Sequence, residues 1–450
     1  MSTQQKRMIV LAIFLGAILM LPVVASAGGQ QVVTEEKKAV EGFDWRRFEG
    51  ETISILVGRS PIFDDVTQHI DEFESLTGIR AIIDDIPYDQ ANTKKILELR
   101  QKSSTYDVAT AWCHNEKRLF IENGWYEPLN RYINDPTMTN SDYDWEDFGA
   151  AGLSWVLTDD GEIYAIPGKL DLWGLFARTS ILKKHGLAMP KAMDELLTDI
   201  RKVHNPPTIA GFTSRGLKGQ NAMQFAWLFH AYGGEYFDTD GKLTTYGPAA
   251  VDAALAYAEL MKHGPPGVTG FDWNEVRMSF AHGEAAFVAE GFGGATTWID
   301  NPEVSEVVGD ATYGFLPGQE GPVLITSMIG WFMMPYSRNK GPAWYFMQWA
   351  SSKEICLRQL ADMGITWTRM SIYDDPRYTS SDKFNPAWNE AVKRSLTMET
   401  IPALPQIDAV GEWRDAFGII INEAVTNQNR DYLARRFKEE TERFQAMQEK

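Results

Sequence analysis

Between residues 52 and 124, strand-like and helix-like runs alternate with little between them, and this restricts the fold more than any other feature. Thr52-Ile53-Ser54-Ile55-Leu56-Val57 alternates as a strand does. Phe63, Val66, Ile70 and Phe73 then recur at helical spacing, and Thr77-Gly78 ends the run. Ile79–Ile83 reads as a second strand, Asp89–Lys102 as a helix and Val108–Ala111 as a third strand. A helix over Glu116–Asn123 stops at Gly124. Parallel strands need crossover connections, and the crossover helices cover both faces of the sheet, so the fold class is α/β. Such sheets place ligand-contacting loops just past the C-terminal strand ends. Those loops are Gly58-Arg59-Ser60-Pro61 and Trp112-Cys113-His114-Asn115.

The second half has another texture. Pro248 opens a helix whose Val251, Leu255, Ala258 and Met261 share one face, closed by Gly264. Phe280–Glu290 reads as a helix end, a glycine turn and a strand over Ala285–Ala289, followed by Gly291-Phe292-Gly293-Gly294. Ser327–Pro335 is a further strand, Gly341–Ser351 a helix, and the chain is helical from Asp408 onward. At 450 residues this is two or three domains, or two lobes built from one long chain. The formal charge of −18 opposes a phosphate-binding surface and argues against nucleic acid. The 15 Trp exceed what a core of this size needs and point to ring-lined surfaces.

Residues 1–27 read as a signal peptide. Lys6 and Arg7 precede an apolar run from Met8 to Leu21, Pro22 breaks it, and Ala25-Ser26-Ala27 gives the cleavage pattern. At about 1.5 Å per residue the run is too short for a ~30 Å bilayer core, and Gly28 in place of Cys argues against a lipid tether. A periplasmic location follows as the expectation. In that oxidising compartment Cys113 and Cys356 stand either as a disulfide or as two separate small buried residues. No phosphate-cradling, dinucleotide-binding, nucleophile-elbow or zinc-protease motif occurs. Asp238-Thr239-Asp240-Gly241 lacks the rest of a calcium loop and reads as a hairpin turn. Neither a cofactor nor a metal is implied.

A train of motifs then covers nearly the whole chain. It begins with Phe73-Glu74-x-x-Thr77-Gly78-Ile79, Tyr106-Asp107-Val108 and Gly124-Trp125-Tyr126-Glu127-Pro128-Leu129. Gly161-x-x-Tyr164-Ala165-x-Pro167, Gly174-Leu175-Phe176-Ala177-Arg178 and His185-Gly186-Leu187 follow. Phe280-Ala281-x-Gly283-Glu284-Ala285-Ala286-Phe287, Ser337-Arg338-Asn339-Lys340 and Trp344-x-x-Met347-x-Trp349 complete it. In order and spacing this resembles the bacterial extracellular solute-binding proteins, in their sugar-binding, maltose-binding-protein-like class. Ala177-Arg178-Thr179 and Met193 depart from the usual pattern, as in a divergent subfamily.

The resemblance implies a periplasmic-binding-protein fold: two α/β lobes, a hinge of three crossings and a central ligand cleft. The crossings are expected near Pro167–Asp171, Pro322–Ser327 and Asp374–Lys383. Residues 28–167 and 327–375 would form one lobe, and residues 168–326 and 376–450 the other. A monomer would close on a sugar or polyol and present it to the membrane permease of an ABC importer.

A sugar wants an aromatic platform and planar polar groups that bond hydroxyls in pairs. The expected ligand residues are Trp112, His114, Asn115 and Arg59 in the strand-end loops, and Asp171 and Trp173 in the first crossing. Asn221, Gln224, Glu290 and Phe292 belong to the second lobe, and Trp331, Trp367 and Arg369 to the first. Each has a bland alternative. Trp112, Trp173, Trp331 and Trp367 would then be core, Asp171 and Glu290 hinge salt bridges, and Arg59, His114 and Asn221 solvated loop residues. A secreted glycoside hydrolase is the competing function, since the acid-and-aromatic composition suits it too.

Overall fold

The computed structural model describes residues 42–449, so the signal-peptide expectation for residues 1–27 lies outside the described residues. The alternation near the start yields β1 (Thr52–Gly58), β2 (Arg80–Ile86) and β3 (Val108–Ala111), with β1 parallel to both others. The helix expected from Phe63 to Phe73 is two, Pro61–Gln68 and Ile70–Thr77, broken at His69, whose φ of −110° and ψ of 25° leave the helical region. Helix Tyr88–Arg100 packs on β1, and helix Cys113–Glu122 begins directly after Trp112.

β4 (Ile166–Arg178) is one strand with two sets of partners. Its first half pairs with β9 (Ile325–Met333), from Ile166↔Trp331 to Leu172↔Thr326. From Trp173 onward it pairs with β6 (Ala285–Gly291) and, from Gly174, with β7 (Ala311–Pro317). β5 (Ala210–Thr213) continues that second sheet parallel to β6. The short β8 (Pro322–Val323) turns β7 back toward β9, which pairs antiparallel with β3 and closes the first sheet. The hinge is therefore continuous extended backbone, β4 outward and β8–β9 back.

The sequence puts the third crossing near Asp374–Lys383, but the short helix Pro376–Thr379 lies there, against the Lys353–Met363 helix. Asp375 has the polar, turn-like character of a linker because it caps that helix, accepting from the Arg377 backbone N–H. β10 (Ile401–Pro402), parallel to the start of β9, is the strand that leads on to the C-terminal helices. Those helices, Val410–Thr426 and Arg430–Gln448, pack on Pro248–Lys262, and the first of them also on Ala222–Ala231.

Two hydrophobic cores result. One lies under the first sheet and runs past the hinge to Phe292 and Trp298; the other fills the helical side of the second lobe. The tryptophan excess is mostly consumed here: Trp227, Trp331, Trp344, Trp388 and Trp413 are fully enclosed. Cys113 and Cys356 are separate free thiols, both buried, so the disulfide reading falls. Among the described residues no helix is long and apolar enough to cross a membrane.

Candidate ligand-binding cleft

On the first lobe the wall is built where β3 ends. Trp112 leaves the strand half-buried and meets Tyr88 with ring centroids 4.2 Å apart. Its backbone N–H donates to Glu116 Oε2 at 3.1 Å, and Glu116 is held by Lys95 at 2.7 Å, both side chains being 2% exposed. This buried pair fixes the entry into the helix and with it the indole. Gly58 lies beside it, its Cα side facing Trp112 Nε1 and Thr110 Oγ1. His114 donates from Nδ1 to the Met328 carbonyl at 3.1 Å, which leaves Nε2 as an acceptor. Burial pushes its pKa down to about 4, so the ring is neutral near pH 7. Asn115 donates to the Tyr88 hydroxyl at 2.8 Å.

The crossing strand brings Lys169 and Asp171, paired at 2.8 Å. Burial alone would raise Asp171, but Lys169, with Arg277 and Arg215 beyond it, holds the carboxyl below its ordinary value. This pair faces the glycine turn after β6: a β-carbon on Gly293 would lie 2.9 Å from Asp171 Oδ1 and 2.8 Å from Lys169 Cε. That close approach accounts for glycine at 293, while Gly294 sits at a φ of +71° that favours glycine. In the second lobe Arg215 grips Glu290 through Nε at 2.8 Å and through Nη2, while Arg277 stands 3.6 Å from the same carboxylate. The Arg215 guanidinium lies over the Trp173 ring, 4.6 Å from its centroid. Trp112, His114, Asn115, Asp171, Trp173 and Glu290 thus belong to one neighbourhood, with Trp173 and Glu290 covered by Arg215.

The other expected residues are placed elsewhere. Arg59 is exposed at the end of β1, held by Asp85 through the carboxylate at 3.3 Å and the carbonyl at 2.9 Å. Phe292 turns into the core onto Phe176 and Tyr313, in space that Gly174 leaves open. Trp331 is wedged between Phe63 and Phe346, and Trp367 donates to Gln359 Oε1 at 3.2 Å. Arg369 is fully buried, its guanidinium bonded to the carbonyls of Ser351 and Asp144 and lying 4.1 Å from the Phe148 ring centroid. Asn221 and Gln224 are also interior, tied to the carbonyls of Gly418 and Ala289. Arg59 apart, a strand-end or helix-start position is compatible with both exposure and burial, and packing chose burial.

Sequence reading missed Tyr88, Lys169, Arg215, Arg277, Arg414 and Gln406. Arg215 lies just past β5, whose 4 residues are too few to stand out as a strand in the sequence pattern. Arg414 comes from the Val410–Thr426 helix and donates to the Gly219 carbonyl at 3.3 Å, while its charge is felt at Tyr88 and His114 across the cleft. Gln406 joins the lobes by donating to the His114 carbonyl at 3.1 Å. Arg118 does the same from the other side, reaching the Gln406 carbonyl at 3.0 Å and Gln448 Oε1 at 2.9 Å. Among the described residues no group of three or more His, Cys, Asp or Glu is placed to hold a metal ion. Asp238–Lys242 is a tight turn closed on Asp238 Oδ1.

Two α/β lobes on a strand hinge, with polar and aromatic groups of both gathered beside it, are the architecture of a solute-binding protein. The model of the bacterial extracellular solute-binding protein family matches residues 61–355, and the chain belongs to that family. It is similar to the erythritol/L-threitol-binding protein of Mycolicibacterium smegmatis, 27% identical over 388 residues, spanning 80% of this chain and 79% of the relative. Its fold matches that of a solute-binding protein from Agrobacterium radiobacter solved with ribitol. The TM-score is 0.75 at 23% identity, covering 89% of this chain and 99% of that one. An Agrobacterium vitis solute-binding protein solved with D-mannitol matches with a TM-score of 0.69 at 22% identity, over 87% and 98% of the two chains.

Proposed function

We propose that this protein is the periplasmic substrate-binding component of an ABC importer, holding a sugar or polyol between its lobes and handing it to a membrane permease. The observation that carries the reading is the convergence of three separate chain regions. Trp112, Tyr88 and Asn115 come from one lobe, Lys169 and Asp171 from the crossing strand, and Arg215 and Glu290 from the other lobe. A ligand touching all three favours the closed form by its differential affinity. The names of the similar proteins, which bind erythritol, threitol, ribitol and mannitol, support the ligand class. The protein acts as a monomer and without catalysis. For the competing hydrolase a cleft carboxyl would need a raised pKa to serve as acid, whereas Lys169 holds Asp171 ionised and Arg215 occupies both oxygens of Glu290.

Titration of the mature protein with a panel of C4 to C6 polyols and sugars tests this. The bound ligand shifts Trp fluorescence through Trp112 and raises the melting temperature by mass action. A panel that moves neither signal, or a steady release of reducing sugar from glycans, overturns the reading.

A further inference from the structure

The cleft is electrically unbalanced in a direction opposite to the whole protein. The chain carries a formal charge of −18. Yet the cluster where the lobes meet the hinge contains Lys169, Arg215, Arg277 and Arg414 against Asp171 and Glu290, with Asp272 and Asp415 at its edge, where one caps the helix that carries Arg277 and the other pairs with Lys218. Lys169 answers Asp171 at 2.8 Å and Arg215 answers Glu290 in a two-pronged contact. Arg277 is left sharing Glu290 at 3.6 Å; its guanidinium lies over the Trp273 and Trp298 rings, 5.0 and 5.8 Å from their centroids, and its Nε is buried without a hydrogen-bond partner.

Arg414 has less. Among the described residues it makes no ion pair, and its hydrogen bonds go to the Gly219 carbonyl at 3.3 Å. Its sequence neighbour Asp415 is engaged with Lys218 at 2.8 Å. Burial and the nearby Arg215 charge work against the protonated guanidinium of Arg414 and outweigh the support it receives from Tyr88 and Asp415. Cations withdrawn from water without a counter-charge are costly, and a site keeps them where a bound group supplies the missing anion.

Resting on the polyol-cleft reading above, we propose that the ligand is an anionic polyol, whose carboxylate or phosphate lies between Arg414 and Arg277 while its hydroxyls face the Trp112 wall. The test compares three probes of matched carbon skeleton by calorimetric titration: ribitol, D-ribonate and D-ribitol 5-phosphate. An anion binds at least about tenfold tighter than ribitol, and the advantage shrinks as salt is raised. In R414Q the ratio of anion to ribitol affinity falls to near one. The ribonate and phosphate arms separate the two anion sources. If R414Q does not fold, R277Q read by the same ratio takes its place. Ribitol binding as tightly as both anions sinks the proposal and leaves the polyol reading standing. An anion advantage that survives in R414Q or is indifferent to salt also sinks it. If none of the three binds while a larger neutral sugar does, the anionic assignment fails alone. If nothing on the whole panel binds, both readings fail.

Discussion

Lys95 and Glu116 show how a buried charge pair can serve a binding surface it never touches. Lys95 also donates to the Thr110 carbonyl and Glu116 accepts from the Trp112 N–H, so the pair bolts the end of β3 to the helix that follows. Removing one partner strands the other in the core. K95M or E116Q is expected to cost about 3 kcal/mol by denaturant melts and to weaken ligand binding, while K95M/E116L recovers much of the stability without restoring affinity. His114 makes a second prediction. Its folded-state pKa is about 4 against 6.5 for a free ring, so below pH 6.5 the unfolded chain takes up a proton that the folded chain refuses. Stability is thereby lost as pH falls from 6.5 toward 4. His230, enclosed among aromatic rings and also lowered to about 4, contributes over the same window. The melting temperature of H114Q should fall less steeply with acid than that of the wild type.

At the scale of elements, β4 is where geometry is least forgiving. Gly174 is the second residue of its second-lobe half, and an added β-carbon would strike the Phe292 ring and come 2.8 Å from the Gly314 carbonyl. G174A therefore has to displace either the aromatic cluster under the hinge or the β4–β7 ladder. A loss of about 2 kcal/mol in thermal or chemical denaturation is expected, with the hinge strand distorted rather than severed. Gly293 is the close approach on the functional side, since a methyl there would press on Asp171 and Lys169. G293A should lower ligand affinity by about tenfold in titration while shifting the melting temperature little, because what it disturbs is the charge pair rather than the core.

For the whole molecule, one set of contacts between the lobes away from the hinge is purely polar. Arg118 bonds to Gln406 and Gln448, and Gln406 bonds to His114. Such a latch is weak enough to open and specific enough to set the closed geometry. R118A should leave the melting temperature nearly unchanged, increase the radius of gyration of the unliganded protein in small-angle scattering, and speed ligand dissociation. An unliganded R118A protein as compact as the wild type would show that the latch does not bias the equilibrium.

Local pattern was enough to read the α/β class, the first three strands and their connecting helices, and the motif order that marks the family. Alternation, caps and glycine stops act within a few residues, and a short stretch of chain carries them whole. The strand-end rule also picked out Trp112, His114 and Asn115, which the fold gathers around Tyr88 and one another, whereas Arg59, chosen by the same rule, is turned to Asp85. Trp331, Trp367, Arg369 and Phe292 look no different in one dimension, and they went inside because Phe63, Gln359, Ser351 and Phe176 arrive there from distant segments. The cation cluster was invisible for the same reason. Lys169, Arg215, Arg277 and Arg414 stand far apart along the chain, and their unbalanced charge exists only once a shared hinge strand and the packing of the second lobe bring them to one place.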